Sequence, residues 1–381
     1  MQYGASGRNR CLRTLFFSGA GAMALVSPTV GHAQEAKDTS FAESEGNEIV
    51  VTATKRETTL QDTPVAVSVT TEETLERAHI RDVADLVTVV PSLRVVQLQG
   101  SQATNFFIRG FGNGSNNVGI EPSVGVFVDG VFRSRTASQI SDFPDIQRVE
   151  VLRGPQSTLF GKNASAGVIS IVTKEPQFTF GGAVEASYGN YDAKVLKGYL
   201  TGPITDTLAL SIAAGLNKRD GYAKDLGSDT RTNERNRWFV RGQALFEPND
   251  QFKMRVIADY DKIDENCCAV INIQSSSATM AILSPYIGGM VNAPANKFDD
   301  KIYNNFPSTN NIENYGFSAQ IDYDTGPFTL TSITALRRTH AVNDQDSDFT
   351  SARLLSTNLE DKHLRSFTQE FRVSADINDR I

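Results

Sequence analysis

From residue 177 onward the chain repeats one pattern, an alternation of apolar and polar residues with a period of two, and this limits it to antiparallel β-structure with one apolar face. Leu208, Leu210, Ile212, Ala214 and Leu216 share one face, with Ala209, Ser211, Ala213, Gly215 and Asn217 on the other. Phe252, Met254, Val256, Ala258 and Tyr260 stand against Lys253, Arg255 and Asp259 in the same way, and Tyr315, Phe317, Ala319, Ile321 and Tyr323 against Gly316, Ser318, Gln320 and Asp322. Eight such segments are expected, at 183–188, 191–200, 208–216, 238–246, 252–260, 315–323, 328–336 and 364–377. Most are about 9–11 residues long, the length a tilted strand needs to cross hydrocarbon. Aromatic residues frame the apolar faces, and the connections alternate between short (201–207, 247–251, 324–327) and long (217–237, 261–314, 337–363). A soluble sandwich can show the alternation; the segregation of loop lengths favours a membrane barrel.

The N-terminus fits that destination. Arg8, Arg10 and Arg13 precede the apolar run 15–26 and the small-residue triplet Gly31-His32-Ala33, so residues 1–33 read as an export signal. At 12 residues the run is too short to span a bilayer, and no later segment reaches ~20 consecutive apolar residues. The signal carries three arginines and no acid, so its removal takes the net charge from −7 to −10, which disfavours a nucleic-acid partner. It also removes Cys11 and leaves the adjacent pair Cys267-Cys268.

Residues 34–47 are polar and acidic and read as a flexible periplasmic tether. The tether ends in Glu48, Ile49, Val50, Val51, Thr52, Ala53 and Thr54, a β-branched run that suits the first strand of a domain or a strand lent to a partner's sheet edge. Residues 57–176 read as compact and mixed α+β. Val65, Val67 and Val69 alternate; Thr70 and Glu73 fit a capping box for a helix to about Ala78; Asp82 caps a second helix over 83–89, stopped by Pro91. Extended pieces follow at 93–98, 106–109, 124–128, 148–152 and 167–173, with Gly110, Gly112 and Gly114 allowing turns at positive φ.

Three blocks then carry a resemblance. The 48–53 run resembles the TonB box of TonB-dependent outer-membrane receptors. Phe107-Ile108-Arg109-Gly110-Phe111 with 124–131 is similar to that family's plug core, and Val149-Glu150-Val151-Leu152-Arg153-Gly154-Pro155-Gln156 through Gly161, with Ala166-Gly167-Val168-Ile169, to its plug C-terminal block. The resemblance implies an α+β plug domain followed by an antiparallel transmembrane β-barrel of about 22 strands, of which eight are expected here. The chain is accordingly expected to be the N-terminal portion of a receptor, divided as signal (1–33), tether (34–47), coupling peptide (48–56), plug (57–176) and barrel (177–381). Implied too are an outer-membrane location, TonB with its inner-membrane complex as partner, a lipid surround, a monomeric state, and active import of a ferric siderophore or other iron chelate. No resident cofactor or metal is expected, iron entering only within the substrate. An oligosaccharide or other organic substrate suits the same mechanism, and a passive porin is the remaining transport alternative.

Candidate site residues follow from this frame. Residues 48–54 would couple to TonB. Arg109, Glu150 and Arg153 would hold the plug in the barrel through charge contacts. Gln102, Phe111, Asn113, Asn116, Arg133, Arg135 and Gln139, on plug loops, would meet the substrate. Cys267 and Cys268 suit a vicinal bridge, pairing with other cysteines, or soft metal ligation. His79, His340 and His363 read as ordinary surface or loop histidines, and no motif links them to a nucleophile or metal. An enzyme is therefore not expected.

Overall fold

The computed structural model describes residues 49–375, apart from 53, 57, 98–99, 115–118, 143–144 and 356. The export signal, the tether, Glu48, Ala53 and Asn116 lie outside the described residues.

The first elements are a two-stranded ribbon, β1 (Val50–Val51) with β2 (Thr58–Thr59). Strand β3 (Val67–Thr71) leads into helix α1 (Glu72–Arg77), whose N-cap is Thr71, with no side-chain capping bond in place of the expected Thr70 box. Asp82 caps the next turn as expected: its Oδ1 accepts the Ala84 and Asp85 amides, although Val83–Thr88 winds as a 3-10 helix. Strands β4 (Leu93–Gln97) and β5 (Thr104–Ile108) pair with each other. The five-stranded plug sheet joins β3 to β6 (Val124–Val128), β7 (Val131–Arg133), β8 (Ile146–Arg153) and β9 (Gly167–Thr173) in the order β3-β8-β9-β6-β7. Within it β6 and β9 run parallel and the other neighbours antiparallel. Val124, Val126, Val149, Val151, Ile169 and Ile171 are buried in its core. Of the three loop glycines only Gly110 needs a left-handed backbone (φ 82°). Gly112 is required by proximity instead, because a Cβ there would stand 2.5 Å from the Phe106 carbonyl oxygen.

The wall is an eight-stranded antiparallel sheet in strict chain order. It comprises β10 (Gly181–Gly189), β11 (Ala193–Thr205), β12 (Leu208–Arg219), β15 (Arg235–Asn249), β16 (Phe252–Asn266), β18 (Thr309–Asp324), β19 (Thr329–Asp344) and β20 (Leu359–Ser374). All eight expected strands are present, and most are longer than expected, up to 16 residues, because pairing continues past the lipid-length segment into the long loops. Those loops carry β13 (Ala223–Asp225), β14 (Thr230–Thr232), the helix Ser277–Ile282 and β17 (Lys301–Ile302). Alternation divides the wall's faces: Phe239 and Arg241 are buried against the plug, whereas Trp238 points away. On the outward face Trp238 stacks on Tyr260 at 4.9 Å and Tyr260 on Tyr315 at 6.2 Å. A second belt, Phe246, Phe252 and Tyr323, lies at the short-turn rim. From Phe246 to Trp238 is about 27 Å along the strand, or roughly 20 Å after tilt, which suits the apolar band of an outer-membrane barrel.

Candidate functional site

The start of the described chain is docked on the plug. Val51 is fully buried among Phe127, Leu152 and Val168, while Ile49 and Val50 remain half exposed. The Thr52 amide donates to Glu150 Oε1 at 2.9 Å and Oε2 at 3.1 Å, and its hydroxyl to Oε1 at 3.2 Å. Arg148 Nε donates to the same carboxylate at 2.7 Å. A carboxylate with no exposure needs these partners, since an unpaired buried charge is costly. The peptide is also tied to the wall: Lys55 Nζ lies 3.1 Å from Glu370, and Arg372 donates to the Lys55 carbonyl at 2.8 Å. Burial lowers the Lys55 pKa against the opposing pull of Glu370.

Among the described residues, Glu150 and Arg153, expected with Arg109 to hold the plug in the barrel through charge contacts, meet partners in the coupling peptide and plug instead. Glu150 faces the docked peptide, and Arg153 donates to the carbonyls of Ala66 and Val67 inside the plug. Arg109 is exposed and adopts φ 53°. Beside the two contacts in which a plug-side cation meets a wall carboxylate, Lys55 with Glu370 and Arg133 with Asp259, most of the ion pairs that join plug to wall have the opposite polarity, with plug carboxylates meeting wall cations. Asp82 Oδ2 receives Arg235 at 2.9 Å and Arg237 at 3.0 Å. Asp142 receives Asn217 at 2.7 Å and lies 3.4 Å from Arg237. Asp145 receives Gln243 at 3.0 Å and Asp129 lies 3.5 Å from Arg255. Glu175 meets Lys253 at 2.7 Å. Arg235, Arg237, Arg241 and Gln243 share the inward parity of β15, and Lys253 and Arg255 that of β16, so these two strands carry the cations of the ladder, with Asn217 of β12 beside them. That parity was available in the sequence. What hid the contact was the plug side, where isolated loop aspartates follow no period.

The plug aspartates differ in their titration. Burial alone would raise Asp82, but Arg235 and Arg237 hold it below the usual carboxylate range. Burial pushes Asp142 and Asp145 up, past the opposing pull of Arg237 and Arg241 respectively.

Several expected substrate contacts are buried. Arg133 packs 3.9 Å from wall Asp259, and burial pushes its guanidinium down to about 9, so it remains charged at neutral pH. Gln139 donates to the Arg133 carbonyl, and Gln102 accepts from Lys362 of β20 at 3.3 Å. Arg133 and Gln102 thus face the wall and Gln139 is buried within the plug, which corrects their assignment as substrate contacts on plug loops. Arg135 pairs with Glu121 at 3.6 Å and donates to the Gly119 carbonyl; Asn113 donates to the Glu121 carbonyl and accepts from Ser123. Phe111 is 73% exposed, which keeps it available for contact. Cys267 and Cys268 are joined to each other, beside Gln97 of the plug.

Known proteins share this arrangement. Residues 59–168 match the family model described as the TonB-dependent receptor plug domain. The iron-regulated outer membrane virulence protein of Vibrio cholerae is 33% identical over 190 residues, covering 45% of this chain and 28% of that protein. The pesticin receptor of Yersinia pestis is 31% identical, covering 48% and 26%. The ferric yersiniabactin uptake receptor FyuA from Yersinia pestis superposes with a TM-score of 0.70 at 22% identity, over 83% of this chain and 46% of that one. The siderophore receptor PiuA from Acinetobacter baumannii does so with 0.65 at 17% identity, over 85% and 44%. The matches thus span about a quarter of those curated relatives and under half of those solved chains.

Proposed function

Because the chain carries the plug domain of a TonB-dependent outer-membrane receptor together with strands of the barrel wall that surrounds it, we propose that the parent receptor imports a ferric siderophore or comparable iron chelate. TonB would supply the energy by pairing with residues 48–54. The observation that carries this reading is the docking of Val50–Thr52: a short strand half exposed on one side and held at its end by one buried carboxylate. Such a segment can leave the plug and add to a partner's sheet edge, replacing two ribbon pairings with a longer set of backbone hydrogen bonds.

Ligand would bind outside, between exposed plug loops and the long wall loops. Pulling on residues 48–54 would then strain the Thr52–Glu150 contact first, and local opening of the plug costs less than global unfolding. The iron chelate is favoured as substrate by the relatives, several of which are named as iron or siderophore receptors. Deleting residues 49–53 from the receptor should abolish uptake of a radio-iron siderophore while leaving its binding to whole cells intact. Loss of binding as well would remove the coupling role, and uptake that survives collapse of the proton gradient would favour a passive pore.

A further inference from the structure

His340 of β19 stands directly opposite His363 of β20. Their rings stack with centroids 4.1 Å apart and planes 11° from parallel. Asp361, two residues from His363 on the same face, places its Oδ1 2.9 Å from His340 Nε2 and 3.3 Å from His363 Nε2. These are strand residues on the outward face of the wall, at positions whose sequence suits ordinary surface or loop histidines. The aromatic belt fixes their height. Tyr315 pairs with Arg338, so His340 lies one outward-facing rung beyond the belt, toward the rim of the long loops.

We propose that His340, Asp361 and His363 form a binding site for a first-row divalent transition-metal cation, a staple between β19 and β20 at the outer rim. Two imidazoles and one carboxylate are a donor set that suits zinc and its neighbours; hard cations want oxygen alone. The spacing is also suitable. Tetrahedral zinc bonds of about 2.0 Å set donor atoms about 3.3 Å apart, and the two nitrogen-to-carboxylate separations are already 2.9 and 3.3 Å. Small rotations of two solvent-facing rings would aim both Nε2 atoms at one point. Arg338 and Arg365, paired one rung below, oppose a cation there. Asp361 offsets them, as does Glu313, which faces His340 from β18 while holding Lys262 at 3.0 Å. The site lies on the far side of the wall from the plug, so it is separate from any import path.

The test uses the full chain folded in detergent without reductant. Calorimetric titration should find one Zn²⁺ per chain, and Co²⁺ in its place should give visible tetrahedral bands without thiolate charge transfer. His340→Ala and His363→Ala should each weaken binding by at least about tenfold, the lower bound set by losing a mere supporting partner. His79→Ala, outside the cluster, should leave binding unchanged. Heat-modifiable migration on gels checks that each variant has folded. A folded His340→Ala/His363→Ala chain that still takes up Zn²⁺ with unchanged affinity would overturn the proposal, as would a Co²⁺ spectrum dominated by thiolate bands from Cys267 and Cys268.

Discussion

Glu150 receives the backbone amide of Thr52 on both carboxylate oxygens, at 2.9 and 3.1 Å, across 98 positions of sequence. The carboxylate has no exposure, and Arg148 balances its charge on the strand that carries it. Glu150→Ala removes the acceptor and leaves the Arg148 guanidinium, half-buried, without its counter-ion. Hydrogen bonds to a charged group contribute about 1.5–3 kcal/mol, so the peptide should undock at a cost of that order. A spin label at Thr54→Cys should show the faster motion of an undocked segment in Glu150→Ala and slow motion in the parent. Equal mobility in both would remove Glu150 as the latch.

Arg237 serves three carboxylates at once, Asp82, Asp142 and Glu265, while itself 3% exposed. Removing one member of a buried ion pair costs about 3–5 kcal/mol because its partners stay buried and unpaired. Arg237→Ala should therefore loosen the plug more than Arg153→Ala, whose partners are two carbonyls within the plug. Limited proteolysis of the folded protein reads the difference as faster cleavage within residues 57–176.

How much of this was legible beforehand differs between the two halves. The wall strands were readable because period-two alternation is enforced by lipid on one side, and all eight were located to within a few residues in their central portions. Their outer ends were missed, since beyond the bilayer no apolar face is demanded and the alternation fades, as at the outward positions Asn311 and Glu313. His340 and His363 were lost in that zone, because only register brings residues 23 positions apart face to face. In the plug the Asp82 cap was legible, being a local hydrogen-bond requirement. Its second role against Arg235 and Arg237 was not, because a side chain's second oxygen leaves no trace in local sequence.

The two kinds of plug aspartate predict opposite pH responses. Asp142 and Asp145 are raised by burial, so the seating they support is fully present below the ordinary aspartate range and is lost as pH climbs through their raised values. Asp82 is depressed by Arg235 and Arg237, so its contribution is present above that range and lost as pH falls through its lowered value. Urea titrations of plug release from about pH 3 upward should show Asp145→Asn flattening the loss on the alkaline side. Asp82→Asn should flatten the loss on the acid side. The same change of slope in both variants would refute the assignment.

The parity of the wall gives the most direct test of its membrane orientation. Val256 faces outward midway between the belt of Phe252 and the belt of Tyr260, and its register partners Ala244 and Ala319 carry no charge with which a new cation could pair. An arginine on the lipid face costs about 2–4 kcal/mol at the bilayer midplane and about 0–1 kcal/mol near the interfaces. Val256→Arg should therefore sharply reduce the heat-modifiable folded form recovered from outer membranes. Asn236→Arg has the same outward parity but lies one rung beyond Trp238, where the side chain reaches headgroups and water, and it should fold at close to the parental yield. Because both variants add the same charge to the same face, only depth separates them. Equal yields would mean that the strip between the two aromatic belts is not in contact with lipid.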